Sequence, residues 1–197
     1  MKKIFSVIIF QVIFSVCFSQ GKINGHEYLD LGLPSGNKWA TCNVGASKPT
    51  EAGNFYSYGS IIPAKSFNWI SDNYHPISGN PKYDAARKDW GSPWEIPLKE
   101  DFEELIKYCK WEWTSINSQI GYKVIGPNGK FIFLPSHGIY TDRLLVPQES
   151  SFWSGSECRR LPDNVAEVYA LFCSKEKYVV AFSTLFQGRN IRAVIKK

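Results

Sequence analysis

The sequence predicts an α+β fold, and three features of its 197 residues lead to that class. Short apolar stretches bounded by Gly, Pro and Asn recur along the chain, which is the pattern of short strands. Residues 98–109 instead repeat their apolar side chains with the period of a helix. The chain shows no internal repeat and no linker, so we expect these elements to share one domain.

The first nineteen residues have the three parts of a secretory signal peptide. Two lysines precede an uncharged apolar run over residues 4–18, and the small residue Ser19 follows. A membrane anchor is the alternative, but a spanning helix needs roughly 20 apolar residues and this run is shorter. A lipoprotein attached through Cys17 would need a small residue before that cysteine. We expect cleavage after Ser19, a single mature domain of residues 20–197, and a periplasmic, outer-surface or secreted location.

Strands are the most frequent predicted element. The clearest hairpin joins residues 122–125 to residues 130–134 through the turn Gly126-Pro127-Asn128-Gly129. Proline presets the backbone at the second position of a turn, and Asn-Gly tolerates a positive φ. The other predicted strands cover residues 26–31, 38–42, 54–58, 151–156, 167–173, 178–183 and 190–195.

Two helices are predicted. The segment 98–109 follows Pro97, a residue suited to a helix start, and carries acidic residues near its positive end. Its apolar stripe consists of Phe102, Leu105, Ile106 and Cys109. A shorter helix is predicted over residues 83–88.

The charge pattern does not support a nucleic-acid partner. Loss of the two N-terminal lysines leaves a net charge of +3, and the basic residues are scattered rather than blocked. The chain also has 7 Trp, 10 Tyr and 13 Phe residues. Aromatic residues at this density belong either to the core or to a carbohydrate-binding surface.

Cysteine usage favours disulfides over a metal site. Removal of Cys17 leaves an even set, which in an exported protein is typical of disulfide bonds: Cys42, Cys109, Cys158 and Cys173. Structural zinc ligands come in pairs a few residues apart, and these cysteines are spaced too widely. Two strands that fold back around Pro162-Asp163 would bring Cys158 to Cys173, leaving Cys42 for Cys109. Four cysteines nevertheless allow three connectivities.

Motifs for catalysis and cofactor binding are missing from the sequence. The three histidines are His26, His75 and His137, and no Gly-x-Ser-x-Gly elbow, P-loop, dinucleotide fingerprint or zincin motif occurs. Ser136 and His137 are adjacent at the end of a predicted strand, so we expect their side chains to point to opposite faces. Glu100 and Glu104 share the solvated face of the longer helix. We therefore predict a protein that is not an enzyme and binds no cofactor.

Seven segments resemble, in order along the chain, the Fibrobacter succinogenes major paralogous domain family of gut and oral Bacteroidetes. They are residues 28–36 (YLDLGLPSG), 38–46 (KWATCNVGA), 83–87 (YDAAR), 90–91 (WG), 94–97 (WEIP), 152–154 (FWS) and 188–194 (GRNIRAV). Glu95 and Leu98 depart from the Arg and Thr that the family usually has at these places. A threonine there could cap the helix, and the loss of such a cap costs about 1 kcal/mol.

The resemblance implies a C-type lectin-like fold with two helices, small antiparallel sheets and a long irregular loop region. In lectin-like folds that region carries the ligand site, which here corresponds to residues 136–165, with residues 61–81 as a second variable segment. The Pro162-Asp163 pair lacks the flanking ligands of a calcium site, so we interpret it as a turn.

The resemblance also suggests where a ligand would bind and what the protein does. Aromatic and basic residues of the predicted loops are candidate ligand contacts: Trp69, Tyr74, Tyr140, Arg143, Arg159 and Arg160. We expect an exported, non-enzymatic module that binds a glycan or a cell-surface protein. The alternatives are an enzyme related to the formylglycine-generating group, to which the family is similar, and a structural subunit of a surface assembly.

Overall fold

A computed structural model describes residues 20–63, 76–141, 144–147, 149–156, 159–160, 166–185 and 187–197. These residues form two helices, α1 (Ala85–Trp90) and α2 (Lys99–Tyr108). They also form fifteen strands: β1 (Gly21–Ile23), β2 (His26–Asp30), β3 (Lys38–Ala40), β4 (Trp94–Glu95), β5 (Lys110–Ile116), β6 (Gln119–Ile125), β7 (Phe131–Pro135), β8 (Ile139–Thr141), β9 (Leu144–Val146), β10 (Ser150–Trp153), β11 (Arg159–Arg160), β12 (Ala166–Cys173), β13 (Tyr178–Thr184), β14 (Gln187–Gly188) and β15 (Val194–Ile195).

The fold is β-rich, so the predicted α+β, C-type lectin-like class is wrong. Strands account for 42% of the structure and helices for 11%. Two segments explain the difference. Residues 110–116 continue from α2 as strand β5, and the expected irregular region 136–165 carries β8, β9, β10 and β11.

A five-stranded antiparallel sheet joins distant parts of the chain in the order β1-β2-β3-β15-β4. Strand β15 lies between β3 and β4, with Val194 opposite both Trp39 and Glu95. The predicted strand 190–195 is shortened to Val194–Ile195. Before it, the Ala193 carbonyl accepts from the Ala40 amide of β3, and the Ile191 carbonyl accepts from the Val44 amide.

The predicted hairpin around residue 126 is confirmed as β6 and β7, and β5 adds a third antiparallel strand. Its turn is closed by a bond from the Gly126 amide to the Lys130 carbonyl, 2.8 Å long. A Cβ at Gly126 would lie 2.1 Å from the Leu31 carbonyl oxygen. This close backbone approach explains why glycine occupies the position.

Strand β12 is the centre of a four-stranded sheet. It pairs with β10 and β11 on one side and with β13 on the other, all antiparallel. The strand predicted over residues 151–156 ends earlier, at Trp153. The strand predicted over residues 54–58 is wrong, since only Tyr56 forms a bridge there, to Arg189. A last small sheet has the order β14-β8-β9.

Both helices exist within a few residues of their predicted limits. Helix α2 follows Pro97, and the Leu98 amide donates to the Asp101 carboxylate at 2.6 Å. That bond satisfies the amide of Leu98 itself, which is the half of a capping box that the third helical residue supplies. Helix α1 begins later than expected and is capped by Asp84, whose carboxylate accepts from the Arg87 amide at 2.9 Å.

Apolar side chains form two buried clusters on the faces of these sheets. One cluster contains Trp94, Trp153 and Tyr56 among its members. The other contains Trp39, Phe102 and the β6–β7 face around Leu134. Within the part of the chain that the structure covers, no helix has the length and apolar character needed to cross a membrane.

Candidate functional site

The β1–β2 hairpin forms one wall of the candidate site. Its turn residues Asn24 and Gly25 have positive φ values of 51° and 85°, as a two-residue hairpin requires. The Asn24 amide nitrogen donates to the carbonyl oxygens of Trp90 and Ser92, each at 2.8 Å. The hairpin is therefore fixed to the end of α1.

His26 and Trp90 form an aromatic wall next to this turn. Their rings stack with centroids 4.0 Å apart and planes 11° apart. Trp94 supports the pair edge-on, with its centroid 6.4 Å from that of His26. The indole nitrogen of Trp94 donates to the Ile23 carbonyl at 3.2 Å, which joins Trp94 to the hairpin.

The opposite wall consists of residues that follow β3. The Thr41 amide donates to the Glu27 carbonyl at 3.0 Å, which extends the β2–β3 pairing by one step. Cys42 lies beside it, with its sulfur 3.7 Å from the Thr41 hydroxyl. The Ser47 hydroxyl donates to the Glu51 carboxylate at 2.9 Å and fixes the adjacent turn.

Between these walls lies a cleft of about 390 Å³, which is within the range of small-molecule sites. We call it the hairpin cleft. Its lining residues come from three separate segments of the chain: Lys22, Gly25, His26, Glu27, Thr41, Cys42, Ala46, Ser47 and Trp90.

The cleft combines opposite charges with neutral polar groups. Lys22 and Glu27 contribute one charge of each sign. Burial and the nearby Lys22 lower the pKa of His26, so the imidazole is neutral at pH 7. Burial raises the pKa of the Cys42 thiol, and this effect outweighs those of the hydrogen bond with Thr41 and of the nearby Arg192, which lower it. The thiol is therefore protonated.

This arrangement suits binding better than covalent chemistry. A protonated thiol is a weak nucleophile. The neutral imidazole, the two hydroxyl groups and the two charges can together donate and accept hydrogen bonds. The His26–Trp90 stack offers an apolar contact beside them.

The predicted ligand residues do not come together in the hairpin cleft. Tyr140 lies on β8, half-buried, with its ring edge against Phe55 at a centroid distance of 4.8 Å. Arg159 and Arg160 form β11 opposite β12. The other three predicted contacts lie outside the described residues: Trp69, Tyr74 and Arg143.

The predicted disulfides are not formed among the described cysteines. Cys42, Cys109 and Cys173 are free thiols in the structure, which therefore does not contain the expected Cys42–Cys109 bond. Cys158 lies outside the described residues. The predicted Cys158–Cys173 bond therefore stays a prediction.

His137 and Ser136 do not form a catalytic pair. The His137 Nε2 lies 2.8 Å from the Thr50 carbonyl oxygen, which ties its loop to residue 50. The Ser136 hydroxyl is buried and has no hydrogen-bond partner among the described residues. His75 lies outside them.

The sequence contained one signal for the hairpin cleft that our interpretation missed. Asn24-Gly25 is the strongest short hairpin signal, yet β1 was not predicted and His26 was assigned only to a strand. The local sequence could not predict that Thr41, Cys42 and Trp90 also line the cleft, because long-range packing brings these residues to it.

Neither the described side chains, as metal ligands, nor the comparisons with known proteins assign a function to the hairpin cleft. No group of three or more His, Cys, Asp or Glu side chains within the described ranges could hold a metal ion. Comparison of the chain with family models, with curated proteins and with solved structures finds no match. The family resemblance given above therefore stays a prediction that rests on the quoted segments alone.

Proposed function

We propose that the protein is an exported, non-enzymatic binding module that holds a sugar unit of a glycan in the hairpin cleft. The observation that carries the proposal is the cleft itself, with its volume, its rigid aromatic wall and its mixed polar groups. A sugar ring offers hydroxyl groups to His26, Glu27 and Thr41. Its apolar face would contact the half-buried His26 ring, which stacks on Trp90.

Rigidity supports a binding role for this cleft. The hairpin is held by the two Asn24 bonds, and Trp90 is 7% exposed. Binding to a preformed site avoids the entropy cost of ordering side chains around the ligand. A glycan could therefore be retained through a few hydrogen bonds and one aromatic contact.

The enzyme alternative has less support. Peptide oxidation of the formylglycine-generating type requires a thiolate of low pKa. Burial raises the pKa of Cys42 and of Cys173, and it raises that of Cys109 to about 11. These three thiols are therefore protonated at neutral pH.

A glycan array with the mature domain, followed by calorimetry on the retained glycan, tests the proposal. We expect Glu27→Gln to lower the affinity roughly tenfold, because a hydrogen bond to a charged group contributes ~1.5–3 kcal/mol. The substitution keeps the size of the side chain and its place on β2.

Glu112→Gln is the matched control. Glu112 also lies on a strand, but on β5 of a different sheet, where its carboxylate forms an ion pair with Lys110. It should bind as the unmodified protein does. The proposal is wrong if the array retains no glycan, or if both variants lose the same affinity.

A further inference from the structure

A second recess adjoins the hairpin cleft, and its lining is mostly apolar. It measures about 280 Å³ and lies between β2 and the β5–β7 sheet. We call it the β7 groove. Its residues are Gln20, Glu27, Leu29, Thr41, Pro49, Ile116, Phe131, Ile132 and Phe133.

The β7 groove is open to a ligand. Phe131 is 40% exposed although it is a large apolar residue, and Pro49 is exposed at the rim. Phe133 lines the groove and is almost fully buried. An exposed aromatic side chain beside a buried apolar one is typical of a site that accepts an apolar group.

The groove and the cleft share a boundary. Glu27 and Thr41 line both recesses, and the two residues are joined by the bond from the Thr41 amide to the Glu27 carbonyl. Leu29 follows Glu27 by two positions on β2, so both side chains lie on the same face of the sheet. A ligand that passes Glu27 therefore leaves polar surroundings and meets apolar ones.

We infer that the ligand is a glycan with an apolar aglycone, such as a glycolipid, whose sugar occupies the hairpin cleft and whose apolar part occupies the β7 groove. The inference rests on the proposed function. It adds the chemical class of the ligand, which the cleft alone does not define. The inference is supported by the two residues that line both recesses, Glu27 and Thr41. A sugar bound alone in the hairpin cleft would leave the apolar surface of the adjoining β7 groove exposed to water.

The experiment compares two probes that share one sugar. The sugar retained most strongly on the array is prepared as its methyl glycoside and as its octyl glycoside, and both are titrated below the micelle concentration. We expect the octyl glycoside to bind at least roughly tenfold more tightly, because its chain leaves water for the β7 groove.

Three variants locate the effect. Phe131→Ser should reduce the affinity for the octyl glycoside to near that of the methyl glycoside, and should leave the methyl glycoside unchanged. Pro49→Glu places a carboxylate at the groove rim without altering the core, and should have the same selective effect. Val179→Ser is the control, because Val179 is 38% exposed on the unrelated strand β13.

The outcomes separate the two proposals. If the array retains no sugar, the proposed function fails. If the sugar binds but the two glycosides have equal affinity, the glycan proposal stands and the apolar aglycone is excluded. Equal losses in Phe131→Ser and Val179→Ser would also overturn the inference, because they would show that the octyl chain does not use the groove.

Discussion

At the scale of single residues, two fully buried arginines hold this fold together without a carboxylate contact among the described hydrogen bonds. Arg192 donates to Asn43 Oδ1 at 2.9 Å, to the Ala40 carbonyl at 3.1 Å and to the Phe133 carbonyl at 2.8 Å. Arg189 stacks between Trp153 and the ring of Phe172. Burial lowers the pKa of Arg192 to about 10, so it remains charged at neutral pH.

Replacing Arg192 with lysine should destabilise the protein by about 2–4 kcal/mol. A lysine ammonium cannot satisfy acceptors on β3, β7 and the residue 43 loop at once, and their carbonyls would stay buried without donors. Urea unfolding measures the change. Arg87→Lys is the control, because Arg87 makes a single ion pair with Glu95 that lysine can keep. Equal stability of Arg192→Lys and the unmodified protein would contradict the structural role.

Asp84 should make stability depend on pH. Its buried carboxylate accepts from the amides of Gly79, Arg87 and Ile96. Burial outweighs these bonds and raises its pKa from 3.8 to about 6. The folded state therefore binds this proton more tightly than the unfolded state does. The associated stability is fully present below about pH 4 and is lost as pH rises through 6.

We expect this group to account for roughly 2–3 kcal/mol of lost stability between pH 4 and pH 7. Urea unfolding at both pH values measures it in the unmodified protein and in Asp84→Asn, which cannot titrate. The difference between the two pH values should shrink by that amount in the variant. An unchanged difference would show that Asp84 does not titrate in this range.

At the scale of elements, one side chain joins the turn of the β1–β2 hairpin to the end of α1. The Asn24 amide makes both bonds to the end of α1, and the turn itself needs only a residue that tolerates a positive φ. A substitution at residue 24 can therefore remove the two bonds to α1 without changing the backbone of the turn.

Asn24→Gly should keep the turn and remove its bonds to the end of α1. Glycine accepts the positive φ, so the loss should come from the two hydrogen bonds and should amount to about 1–2 kcal/mol. Hydrogen exchange of the Gly21–Ile23 amides should accelerate. Asn117→Gly is the control, since Asn117 has a similar φ of 49° in the β5–β6 turn. Unaltered exchange in β1 would show that Asn24 does not anchor the hairpin.

The elements also show which parts of the fold local sequence can predict. Helix α2 and the β6–β7 hairpin were predicted correctly, because the helical stripe and the Gly126–Gly129 turn are local signals. The fold class was wrong, because β5 and the short strands between residues 136 and 165 gain their pairing from distant segments. The candidate site could not be predicted for the same reason, apart from its Asn24-Gly25 turn.

At the scale of the whole molecule, two of the described cysteines lie in different surroundings. Two apolar clusters lie on the sheet faces, and Cys173 is a buried member of one of them. Cys42 instead lines the hairpin cleft and is half-buried. The two thiols should therefore differ in reactivity.

Alkylation followed by peptide mass spectrometry should label Cys42 in the native protein and Cys173 only after unfolding in urea. The reason is access, since Cys173 is 2% exposed and its pKa is raised by burial. A non-reduced digest serves as the control. A peptide in which Cys42 is joined to Cys109 would contradict the free thiols.

The place of β15 in the five-stranded sheet has a consequence for how quickly the domain forms. Its Val194 pairs with Trp39, a residue about 155 positions earlier in the chain. A large loop must close before these two residues can pair, and its closure costs conformational entropy before any contact compensates for it. Folds that depend on such distant pairings form in milliseconds to seconds. For a chain that we propose is exported, this delay would leave time for passage through a membrane while it is still unfolded.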